Sequence, residues 1–159
     1  MPATSPSAPA HHAAGHHDPG TPPATVRAAF ALWVTAVAAG AFETALMVGR
    51  EPADAIGVGL AVRLAVFTAA VLVAVRMRRG AGWARITLAV GLGILGTASL
   101  VVEPLGYLID GGSLGDALAR ADTLEWAFGM SRTIHLAAVL TAVALMFLPT
   151  ANRYFRGPA

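Results

Sequence analysis

Five ionisable side chains interrupt otherwise apolar sequence: Glu43, Arg63, Glu103, Arg132 and His135. A charged group at the centre of a bilayer costs about 2.5–3.5 kcal/mol on insertion scales, so such groups seek one another, a backbone carbonyl or water. Helical spacing puts Glu43 on a face with Ala36, Ala39 and Gly40, and sets Arg132 and His135 at i, i+3 on another. The simplest assembly pairs Glu43 with Arg63, and Glu103 with Arg132 or His135. Two acids and two arginines then neutralise locally, leaving His135 as the member free to take up a proton. Three outcomes remain open. The pairs only orient helices; the residues line a small polar cavity that holds a substrate, a proton or, through Glu43, Glu103 and His135, a metal ion; or they face different ways and never meet. A second candidate lies near the start of the chain, where His11, His12, His16 and His17 flank Ala13-Ala14-Gly15. Paired imidazoles in a flexible segment suit Zn²⁺, Ni²⁺ or Cu²⁺; the alternative is a solvated tail.

The elements that must position the first group are four apolar stretches, Val26–Val48, Ile56–Met77, Trp83–Val102 and Phe128–Leu148. Each is near the ~20 residues that carry a helix across a ~30 Å hydrocarbon layer. Lipid offers no partner to backbone N–H and C=O groups, so helices are the natural solution. Mean hydropathy is +0.64, and only 13% of the 159 residues are charged, against about a quarter in soluble domains. The expected fold is therefore an all-α membrane protein: a four-transmembrane-helix up-down bundle over residues 26–152. A disordered Pro/Ala/His-rich tail over 1–25 precedes it, and a short tail over 153–159 follows. The leader lacks the basic n-region of a secretory signal, and the first span is long for an h-region, so that span is expected to be retained.

Every basic residue is arginine, and they are unevenly placed. Arg27, Arg76, Arg78, Arg79, Arg85, Arg153 and Arg156 fall on one side of the spans; Arg50 and Arg120, with Arg63 and Arg132 just inside helix ends, fall on the other. The positive-inside rule puts the first group, and with it both termini, in the cytoplasm of a plasma-membrane protein. Glu51, Asp54, Asp110, Asp116, Asp122 and Glu125 then face outward. With a net charge of +2, the arginines fit orientation better than nucleic-acid binding. Trp126 and Phe128 mark the outer interface, Trp83 and Tyr154-Phe155 the inner one. Cysteine is absent, which removes disulfide and thiolate chemistry from this chain.

Ala89, Gly93 and Thr97 form a small-residue stripe suited to close helix contact, within the chain or with a second copy. Pro104 is expected to stop or kink the third span just after Glu103. In the long third loop, Leu114, Ala117, Leu118 and Ala121 have the spacing of a short surface helix. No phosphate loop and no nucleophile–base set stands out.

Two segments, Arg79-Gly80-Ala81-Gly82-Trp83-Ala84-Arg85 and Phe147-Leu148-Pro149-Thr150-Ala151-Asn152-Arg153-Tyr154-Phe155, together with four spans and a Pro-rich leader, resemble a family of small uncharacterised actinobacterial integral membrane proteins. That resemblance implies no activity. Ser131-Arg132-Thr133-Ile134-His135-Leu136 is similar to a helix of copper-resistance membrane proteins, whose copper-ligand set is not recognisable here. The expectation is a non-enzymatic accessory or interaction protein without cofactor. Its partners would be the lipid bilayer and a second copy or a larger membrane complex. The alternative is a small transporter or copper-handling protein that uses the Glu/Arg/His layer.

Overall fold

A computed structural model describes residues 21–50 and 57–156. It is helical throughout, with no strand among the described residues and four helices long and apolar enough to cross a membrane. Helix α1 spans Ala24–Val48. Pro22 and Pro23 limit its backward extension, and the Pro23 carbonyl accepts its first bonds, from Val26 N–H at 3.0 Å and Arg27 N–H at 3.1 Å. Helix α2 spans Gly57–Arg78. It ends at Gly80, whose φ of 91° only glycine adopts cheaply. There Ala81 N–H reaches back to Arg76 O at 3.1 Å and Gly80 N–H to Met77 O at 2.9 Å, closing the last carbonyls in a Schellman-type cap.

The third rod is continuous over Gly82–Ile109. It consists of α3 (Gly82–Leu88), a π-helical stretch (Ala89–Gly96) and α4 (Thr97–Ile109). Of the stop or kink expected at Pro104, the stop does not occur: Pro104 lies inside α4. In an apolar medium the chain has no better place for its backbone groups than the helix, so one lost bond does not end it. The rod stops instead at Gly111 (φ 88°), where Gly112 N–H bonds Tyr107 O at 2.9 Å. A short helix α5 (Leu114–Arg120) follows, capped by the Ser113 hydroxyl, as the spacing of the third loop predicts.

Helix α6 spans Thr123–Met146 and begins earlier than the expected Phe128. The cause is a capping box. Asp122 Oδ1 accepts from Leu124 N–H (2.9 Å) and Glu125 N–H (2.7 Å), while Glu125 Oε2 accepts from Asp122 N–H (2.9 Å). The fourth span also ends sooner. Phe147 and Leu148 form a corner, and α7 (Pro149–Phe155) starts with proline in its first turn, where no N–H is needed.

Helices α1 and α6 make the most extensive contact; α2 lies against α1, α3 against α2, and the π-helical stretch and α4 lean on α6. The core gathers at the arginine-rich end. Ala29, Trp33 and Ala36 of α1 meet Ala74 and Met77 of α2, Ala84 and Leu88 of α3, and Ala138, Val139, Ala142 and Met146 of α6. Trp33 is fully enclosed and its indole N–H points to Met146 Sδ at 3.4 Å. For helices that cross a bilayer, whose lipid tails are as apolar as these side chains, the gain would be close packing rather than removal from water. The abundant alanines let the backbones approach. At the other end the packing thins: α2 buries only Ala70, Ala74 and Met77, and α4 buries nothing.

Candidate functional site

The polar groups within the spans lie in this loosely packed half. Gly40 of α1 marks its inner limit. A Cβ placed there would meet the Phe67 ring of α2 at 3.1 Å and His135 Nδ1 of α6 at 4.0 Å, so glycine lets three helices meet at one point. Beside it, Ser131 Oγ donates to Ala39 O at 3.1 Å, tying α6 to the α1 backbone.

One turn farther along α1 is Glu43, a buried carboxylate whose side chain is 11% exposed. Its partner is Arg132 of α6, with Nε to Oε2 at 3.9 Å. The same guanidinium donates through Nη2 to Glu103 Oε2 of α4 at 3.5 Å. Arg132 is thus held between two carboxylates from two other helices, one enclosed and one 81% exposed. At 3.9 Å the inner contact is an ion pair without a good hydrogen bond. Accordingly Glu43 Oε1 and Arg132 Nε are both enclosed without a hydrogen-bond partner among the described residues.

The expected pairing of Glu43 with Arg63 is not formed. Arg63 Nη1 instead donates to Thr44 Oγ1 (3.4 Å) and Met47 Sδ (3.1 Å), and Thr44 in turn donates to Gly40 O (2.8 Å). The reason is angular. Glu43 points along the face that α1 presents to α6, whereas Arg63 arrives from α2 on the neighbouring face. The pairing of Glu103 with Arg132 is present. His135 lies beside Gly40 and Phe67 instead of joining Glu103. Glu43, Glu103 and His135 do not form a metal site; no group of three or more His, Asp or Glu residues able to hold an ion occurs among the described residues. His11, His12, His16 and His17 lie outside the described residues, as do Glu51 and Asp54.

Helix α2 packs on α1, and the third rod packs on α2 through α3 and on α6 through its π-helical stretch and α4. On a different face of the α1·α6 pair runs an open apolar groove of about 410 Å³, lined by Thr35, Ala38, Phe42, Met130 and Ile134 among others.

A second cluster escaped the reading of the sequence. Arg85 of α3 stacks between Phe147 (5.3 Å) and Phe155 (5.0 Å) and donates Nη1 to Asn152 Oδ1 at 2.6 Å. Tyr154 Oη donates to Arg78 O at 3.0 Å, and the Arg78 guanidinium lies 5.2 Å from the Phe30 ring centre. The Arg79–Arg85 and Phe147–Phe155 segments are therefore the two halves of one contact. Their basic and aromatic residues were the available signal, but membrane-interface anchoring explains the same composition.

Comparison of the chain with models of protein families, with curated proteins and with solved structures finds no match.

Proposed function

We propose that this chain is a multi-pass plasma-membrane protein, an up-down bundle with its arginine-rich end and both termini in the cytoplasm. It acts without catalysis, as an accessory protein that packs laterally against the transmembrane helices of a second copy or of a larger membrane complex. The observation that carries this reading is α4, which belongs to a membrane-length rod and yet buries none of its residues. A helix that contributes so little to its own bundle has its face available for another. The small residues along the π-helical stretch, Gly91 and Gly96 among them, suit close approach by a neighbour. In this reading the Glu43–Arg132–Glu103 bridge keeps α4 in register beside the bundle while it presents that face.

The test is in-membrane photo-crosslinking from Ile94 and Val102, both more than half exposed, with Trp33 as a buried control. Crosslinks from the first two positions and co-purification after mild solubilisation are expected. A strictly monomeric chain with no crosslinked partner overturns the proposal.

One observation favours the second reading, a small transporter. The enclosed Glu43 Oε1 has no hydrogen-bond partner among the described residues, as a group that binds a solute would. Liposome flux abolished by Glu43→Gln, in protein that still folds, supports that reading; unchanged flux removes Glu43 from it.

A further inference from the structure

We propose that the arginine-rich end is a binding surface for the phosphate headgroups of anionic phospholipids, centred on Arg78 and Arg27. It rests on the four helices crossing a bilayer and is independent of any lateral partner.

Charge is the first argument. Arg27, Arg76, Arg78, Arg79, Arg153 and Arg156 are all exposed. Every ion pair among the described residues lies elsewhere, on Arg50 and Arg132. No described Asp or Glu sits at this end. Six guanidinium groups crowded at one end repel one another, and the neutralising charge must come from outside the described fold.

Preorganisation is the second. Arginine excess alone orients a chain and needs no fixed side chains. Here the Arg78 guanidinium is stacked on Phe30 and its carbonyl is held by Tyr154. Arg27 precedes Phe30 by three residues on α1, so it rises on the same helical face as that ring. A stacked guanidinium keeps its in-plane N–H edge free, and that edge matches two phosphate oxygens. Arg85, locked between Phe147 and Phe155, holds α7 and with it Arg153 beside the same corner.

Depth is the third. Trp83 opens the third rod at this end and is 58% exposed, an indole suited to the headgroup layer. Arg78 ends α2 and Arg79 begins the turn that joins it to the third rod. The guanidinium groups therefore lie at the level of lipid phosphates, where a soluble polyanion would have to compete with the membrane itself.

The test uses the full chain carrying Trp126→Phe, so that Trp83 is the exposed indole while Trp33 stays enclosed. It is reconstituted in phosphatidylcholine vesicles containing brominated phosphatidylglycerol or, at the same mole fraction, brominated phosphatidylcholine. Stronger quenching by the brominated phosphatidylglycerol is expected. Its relative association constant should fall about five-fold for each of Arg27→Gln and Arg78→Gln, the effect of one basic residue near an anionic surface. Arg120→Gln, at the opposite end, should leave it unchanged. Equal quenching by the two lipids overturns the proposal, as does a preference that survives both substitutions. Loss of the preference to inorganic phosphate, but not to chloride at equal ionic strength, would assign the surface to a free phosphate compound and overturn the lipid assignment.

Discussion

Arg132 is the residue on which the loosely packed half of the molecule turns. Its two carboxylates are not equivalent, because Glu43 is enclosed and Glu103 is largely in contact with the surroundings. Removing Arg132 strands a buried carboxylate, so Arg132→Gln should destabilise by about 2–4 kcal/mol. That is less than a deeply buried pair would cost, because the Arg132 side chain is itself 38% exposed. Glu43→Gln keeps the shape and a hydrogen-bonding group, and should cost about 1–2 kcal/mol. Glu103→Gln removes an exposed partner and should stay within about 1 kcal/mol. Thermal unfolding in mild detergent orders the three variants; equal losses would refute the asymmetry. That Glu103 would meet α6 was legible in the sequence, with Arg132 and His135 both open as its partner; the structure pairs it with Arg132. The partner of Glu43 was not legible, since spacing fixes which face of α1 it occupies but not which helix that face meets.

At the scale of elements, two contacts set how helices sit. Gly93 of the π-helical stretch approaches α6 so closely that a Cβ would lie 3.1 Å from Val143 Cγ2. Gly93→Leu should therefore push the third rod from α6 and lower the melting temperature, whereas Gly91→Leu, with nothing within 4 Å of the added Cβ, should not. The second contact is the stack on Arg85. Arg85→Gln loses both ring faces and should speed amide exchange through α7, with little change in the α1·α6 core; protection unchanged in α7 would show that the stack holds nothing. Helix existence followed from hydropathy at all four spans, but boundaries followed only where a local signal was recognised. The capping box at Asp122 and Glu125 explains the early start of α6; its residues stand in the sequence, but hydropathy alone set the expected start at Phe128. The passage of the third rod through Pro104 was not visible, because proline statistics come from water, where a broken helix finds other partners. The π-helical stretch has no simple period to betray it.

For the whole molecule, orientation is the property everything else inherits. The chain has no cysteine, so a single introduced thiol reports its own location. An impermeant maleimide applied to intact cells should label Ser113→Cys, beside α5, and should spare Thr150→Cys, in α7, until the membrane is opened. The reverse pattern would invert the proposed topology and move the proposed lipid-binding surface to the other leaflet.

The unequal grip on Arg132 has one more consequence. Glu103 is largely exposed near the end of the third rod and Glu43 is enclosed, so ions that reach that end would screen the outer contact and spare the inner one. Screening would then loosen the hold on α4 by less than about 1 kcal/mol while α1 and α6 stay joined, and α3, packed into the core through Ala84 and Leu88, would keep the rest of the third rod in place.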